Sequence, residues 1–128
     1  MEELLARLTS TVGVDADTAR KSVGAVLSFL EKEGPSAEVG TLIDKLPGAR
    51  DAMNEAATAG GGGGLMGALG GLMGGGIMGL AGQLQGFGLG MGQIQSLAKE
   101  LFAYGREVAG EDTMGAIAGS IPGLSQFV

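Results

Sequence analysis

An all-α fold, a compact multi-helical bundle of two related helical units around a glycine-rich central helix, is what this sequence predicts. Three observations predict it. Apolar residues recur at helical spacing along both flanks of the chain, almost no segment alternates with period two, and the C-terminal third repeats the plan of the N-terminal third. With 128 residues, the chain reads as a single domain over 1–128, large enough to bury a core without disulfide or metal staples.

The first helix is predicted from Leu4, Leu5, Leu8 and Val12, with Gly13 as its stop. Asp15 is the expected N-cap of the second. Ala16, Ala19, Val23, Val26, Leu27 and Leu30 line one face of that helix, and Asp17, Arg20, Lys21, Ser28 and Glu31 the other. Gly34-Pro35 breaks it. Ser36 is expected to cap a third helix that buries Val39, Leu42, Ile43 and Leu46 and ends at Pro47-Gly48. Residues Ala49 to Ala57 read as a short fourth helix.

A shift of 75 residues superposes the two flanks without a gap. Val39-Gly-Thr-Leu-Ile-Asp-Lys-Leu-Pro-Gly becomes Met114-Gly-Ala-Ile-Ala-Gly-Ser-Ile-Pro-Gly, with Gly40/Gly115, Pro47/Pro122 and Gly48/Gly123 identical. Ala6/Ala81 and Gly13/Gly88 also match, and Val14, Val26, Leu27 and Phe29 fall on Leu89, Leu101, Phe102 and Tyr104. An internal repeat of 2–53 and 77–128 is therefore expected, joined by a glycine-rich connector over 58–76.

Glycine dominates the centre: 27 of 128 residues, about three times the ~7% of ordinary chains. No charged residue occurs between Ala56 and Ala98. Gly60 to Gly64 reads as a flexible linker. On a helix over 65–86, Leu65, Leu69, Leu72, Met73, Ile77, Leu80 and Leu84 share one face. Gly67, Gly71, Gly74, Gly75, Gly79, Gly82 and Gly86 gather on the opposite one. Nine glycines in such a helix cost roughly 9 kcal/mol relative to alanine, as much as the net stability of many domains. Either the segment is loop, or neighbouring helices press against the glycine face and recover the loss. The second reading is the expectation, with a break near Gly74 to Gly76. The packing partner lies inside the monomer or across a subunit interface, and the spacing leaves both open.

The chemistry is sparse. There is no histidine and no cysteine, which removes histidine-based triads, thiolate ligands and ordinary zinc sites. No catalytic, cofactor-binding or metal-binding residue is assigned, and an enzyme is not expected. The net charge of −6, without a basic stripe, argues against nucleic acid. The opening MEELLARL is unlike a secretory signal, so a cytoplasmic protein is expected.

Four further features have bland readings. Asp15-Ala-Asp17-Thr18 lacks the strand that phosphate-transfer chemistry needs and reads as a helix start. The glycines from Gly86 to Gly92 lack the lysine of a phosphate loop and read as a turn between helices. Glu107, Glu111 and Asp112 read as capping of a helix that starts near Thr113, not as calcium ligands. Met66, Met73, Met78 and Met91 read as core filling, and Tyr104, matching Phe29, as a core aromatic.

With Gly13-Val14, Ala19, Leu46-Pro47-Gly48, the glycine-rich centre and Gly88-Leu89-Gly90-Met91 on the page, the chain resembles the VcgC/VcgE-like family of small bacterial proteins. In style it is also similar to YidB-like helical proteins. The resemblance spans most of residues 10–125 and implies a bacterial helical protein with no catalytic residue to carry over. The expected function is a non-enzymatic helical scaffold or protein-interaction module, a homo-oligomer or a binder of a protein partner. The alternative is a membrane-associated or membrane-embedded protein using 65–86, whose uncharged length and small-xxx-small spacing suit a bilayer. Gln83, Gln85, Gln93 and Gln95 and the missing basic flank weigh against it.

Overall fold

Residues 2–60 and 77–121 are described by the computed structural model of the chain. They form seven α-helices: α1 (Glu2–Thr11), α2 (Ala16–Glu33), α3 (Ser36–Lys45), α4 (Ala49–Gly60), α5 (Ile77–Gly86), α6 (Met91–Val108) and α7 (Glu111–Ser120). No strand occurs among the described residues, as the absence of period-two alternation predicts.

The most enclosed described helix is α2. Ser22 to Leu27 are buried without interruption, because α1, α3, α4, α5 and α6 all touch it. A helix covered on all sides must place small or apolar residues all round. The sequence supplies Ser22, Val23, Gly24, Ala25, Val26 and Leu27 there. Ser22 is the one buried polar residue among them, and its hydroxyl donates to the Thr18 carbonyl at 2.7 Å, so its burial leaves no orphan group.

The closest helix pair is α2 with α4. The apolar face of α4 is alanine: Ala49, Ala52 and Ala56 are all buried. It lies so close to α2 that a Cβ on Gly24 would overlap the Ala52 carbonyl. Two ion pairs flank this contact, Arg20 to Glu55 at 2.7 Å and Arg50 to Glu31 at 3.3 Å, and set α4 antiparallel to α2. The Arg20 contact through Nε is ionic, not a directed hydrogen bond. Backbone-to-backbone packing of helices through small residues is found at Gly24 and three alanines. Among the described helices α2 holds the central position; residues 65–76 of the expected glycine-rich helix lie outside them.

A shift of 75 residues carries the bounds of α1, α2 and α3 onto those of α5, α6 and α7. The turn glycines Gly13 and Gly88 both take positive φ, +81° and +100°, a conformation in which a side chain is strained. The packing is reciprocal as well. α1 touches α2 and α6, α5 touches α6 and α2, and across the middle α2 meets α6 and α3 meets α7. Buried positions correspond along α2/α6 and α3/α7: Ala19/Ile94, Ser22/Leu97, Val26/Leu101, Leu27/Phe102, Val39/Met114 and Leu42/Ile117. The first helices differ. α1 buries Leu4 and Leu8, whereas α5 buries Leu80, Ala81 and Leu84, one residue further along the shared register, so its apolar face is rotated by about 100°.

Several helix limits differ from the sequence expectation. Pro35, not Ser36, stands at the N-cap of α3, with Ser36 its first helical residue; proline's fixed φ and missing N–H suit that junction. Asp15 stands at the N-cap of α2 without a side-chain capping bond, and Ala16 is exposed. Helix α4 runs through Gly60, so the first three residues assigned to the 58–76 connector are helical. Helix α7 starts at Glu111, not near Thr113.

Candidate functional site: an uncharged glycine face

Of the glycines expected to form a packing face, Gly67, Gly71, Gly74 and Gly75 lie outside the described residues. Gly79 is half-buried, and Gly82 and Gly86 are exposed on α5. A Cβ built on Gly82 or Gly86 would meet no described atom within 4 Å. No described residue of the same chain packs against these two positions. The physical reason lies in the rotation of α5: the helix turns Leu80, Ala81 and Leu84 onto α2 and α6, which leaves the glycine edge outside.

The same surface continues past the turn. Gln83, Gln85, Gly88, Gly90, Met91, Gly92 and Gln95 are exposed, and not one carries a charge. Met91, expected in the core, is the exposed large hydrophobic residue of the described chain, at 50% accessibility. It is the first residue of α6 and points outward because the core face begins at Ile94. Its sulfur accepts a hydrogen bond from Gln85 Nε2 at 3.3 Å, which ties the end of α5 to the start of α6. Gln93 fixes the base of this turn. Its Oε1 accepts from the Gly90 N–H at 2.9 Å, and its Nε2 donates to the Val12 carbonyl at 3.1 Å, an orphan acceptor at the end of α1.

Charged chemistry sits elsewhere. Arg7 on α1 donates to both carboxylate oxygens of Glu107 on α6, at 2.6 and 3.3 Å, with Glu3 at 3.6 Å. Its guanidinium lies 5.4 Å from the centre of the Tyr104 ring. Tyr104 is buried, in keeping with a core aromatic. The hydrogen bond from Arg7 holds the Glu107 carboxyl below its ordinary range. Of the three acids expected to cap α7, Glu111 and Asp112 fall in its first turn, Glu107 pairs with Arg7, and no side-chain capping bond forms at the N-cap Gly110. No three metal-ligating side chains gather among the described residues.

Arg7 and Met91 were both legible as residues but not as roles. Nothing in the spacing of α1 shows that Arg7 would meet α6, since the pairing joins residues 100 apart. Spacing puts Met91 on the same helix face as Ile94, Ala98 and Phe102 and so reads it as core; its exposure follows from its place as the first residue of α6, beyond the buried stretch. No described helix is long and apolar enough to cross a membrane. No protein family, curated protein or solved structure matches the chain.

Proposed function

We propose that this chain is a non-enzymatic helical interaction module that associates, with itself or with a protein partner, through the uncharged face formed by α5 and the start of α6. One observation carries the reading: Gly82 lies in the interior of a helix, exposed, with no described neighbour and no unusual backbone angle. A glycine there costs the helix about 1 kcal/mol relative to alanine. Nothing in the described fold requires it, so its use is sought in what approaches that face from outside. A bare backbone admits a close neighbour. The absence of charge lowers the desolvation cost that opposes burial, and Met91 offers an adaptable apolar contact.

The resemblance to small bacterial helical proteins fits this reading, since it brings no catalytic residue with it. A cytoplasmic setting is part of the same proposal, supported by a net charge of −6 that anionic headgroups would repel.

The test is light scattering on detergent-free protein, wild type against Gly82→Glu/Met91→Glu. Gly82 is open and Met91 exposed, and a glutamate at the first residue of α6 is favoured by the helix dipole, so the core is untouched and only the Gln85–Met91 hydrogen bond is lost. The expected result is an oligomer or a captured partner in the wild type and a lone monomer in the variant. Equal masses for the two proteins, with equal partner capture, would reject the proposal. Flotation of the wild type with anionic or neutral vesicles would favour the membrane alternative instead.

A further inference from the structure

We infer that Met91 is a modification site: its thioether takes one oxygen from a peroxide, gives predominantly one sulfoxide epimer, and turns the face around it polar. Among the described side chains, oxidation narrows to this residue. The chain has no cysteine, histidine or tryptophan and a single tyrosine, Tyr104, which is buried. Sulfur oxidation therefore falls to methionine. Of the methionines whose side chains are described, Met114 is 1% exposed and Met53 is half-buried against the core, whereas Met91 is 50% exposed. A peroxide has to reach the sulfur itself, so the open thioether reacts first.

The neighbour of the sulfur adds direction. Gln85, in the last turn of α5, donates from Nε2 to Met91 Sδ at 3.3 Å. A thioether sulfur has two lone pairs, and oxidation at one or the other gives opposite sulfoxide epimers. Gln85 engages one lone pair and leaves the other to the solvent. In the reaction that free pair forms an S–O bond to one peroxide oxygen as the O–O bond breaks. Sulfur loses two electrons and the peroxide gains them. With hydrogen peroxide as oxidant, the second oxygen leaves as water, carrying both protons. The product is polar and chiral where the thioether was apolar and pliable. Met91 is the exposed large hydrophobic residue of the described chain, so one added oxygen takes the apolar contact from a face otherwise built of glycine and glutamine. Each epimer is reduced by its own class of reductase, so a mark of one handedness is erased by one class of enzyme. The effect on association rests on the function proposed above; the oxidation does not.

The test treats the full-length protein with hydrogen peroxide, folded or in urea, and follows each methionine by chromatography and mass spectrometry of its peptide, which separates the epimers. In the folded protein Met91 should oxidise several-fold faster than Met53 and Met114, with one epimer in several-fold excess. Urea should abolish both preferences. Gln85→Ala, at an exposed position, should leave Met91 reactive and bring its epimers toward parity. Equal rates at the three methionines of the folded protein, or an even epimer mixture in wild type, would overturn the assignment. Light scattering before and after peroxide reads the face. The wild type should lose mass, and Met91→Leu, apolar but without sulfur, should keep it. Equal loss in both would overturn the effect on the face. A wild type already monomeric before peroxide would count against the proposed function, while the peptide map would still decide the oxidation.

Discussion

At the scale of single residues, the contrast between Gly24 and Gly105 shows how differently two buried glycines are constrained. A Cβ at Gly24 overlaps the Ala52 carbonyl, which is backbone and cannot turn aside without moving α4. At Gly105 it would meet Met114 Cε and Sδ at 2.6 and 2.7 Å, the far end of a flexible side chain. Gly24→Ala should therefore cost about 1–3 kcal/mol of unfolding free energy as overpacking. Gly105→Ala should fall within about 0.5 kcal/mol of wild type, because the helix gains up to about 1 kcal/mol in propensity while Met114 shifts. Urea unfolding of both variants checks the ordering, and equal losses would contradict it. Positions matched by the 75-residue shift show the same reasoning in size: Leu30 and Val39 in the first unit stand where Gly105 and Met114 stand in the second. Glu107 supplies a second prediction. Its carboxyl is held low by the Arg7 hydrogen bond, so the folded form favours the ion more than the unfolded chain does. Its contribution to stability is present above the ordinary carboxylate range and fades as pH falls toward its lowered value. In Arg7→Gln, an NMR titration should find the Glu107 midpoint back at its ordinary value. An unmoved midpoint would show that Arg7 is not the cause.

At the scale of elements, helix spacing located α1, α2 and α3, because each carries a well-marked apolar stripe: Leu4 and Leu8, Val23 through Leu30, and Val39 through Leu46; α6 was legible through the 75-residue repeat of α2. The length of α4 was less legible. Its buried face is alanine, which is scored as weakly apolar and blends into the glycine run that follows. Alanine at 49, 52 and 56 together with Gly24 was the available signal for close packing. The role fell to α4 because an alanine face pays no side-chain entropy and still gains backbone contact. The glycine face of α5 was legible as a face. Its exposure was not, since the rotation of α5 follows from which side of the helix α2 and α6 present. A third asymmetry separates α2 from α6. Lys99 on α6 occupies the position of Gly24, so a helix could not approach α6 as closely as α4 approaches α2. That substitution is consistent with a lone close-packed fourth helix among the described residues.

At the scale of the whole molecule, the two three-helix units share one apolar cluster, and α2 is held by helices from both. Such a core has no internal seam at which to open. Tyr104 is the only tyrosine and there is no tryptophan, so intrinsic fluorescence reports the α1–α6 contact alone, whereas far-UV circular dichroism reports every helix. The two probes should give coincident denaturant midpoints, the mark of all-or-none unfolding. Separate midpoints would mean that the units unfold in turn. The functional reading concerns the outside of this core. It holds that the bare, uncharged edge around Gly82 and Met91 is an association surface, and glycine amides give well-separated NMR signals with which to map it. Dilution of the ¹⁵N-labelled full-length protein is the most direct measurement. The account predicts concentration-dependent shifts confined to Gly82, Gln83, Gln85, Gly86, Met91 and Gly92. Spectra that do not change with concentration or added partner, or shifts centred on another surface, would contradict it.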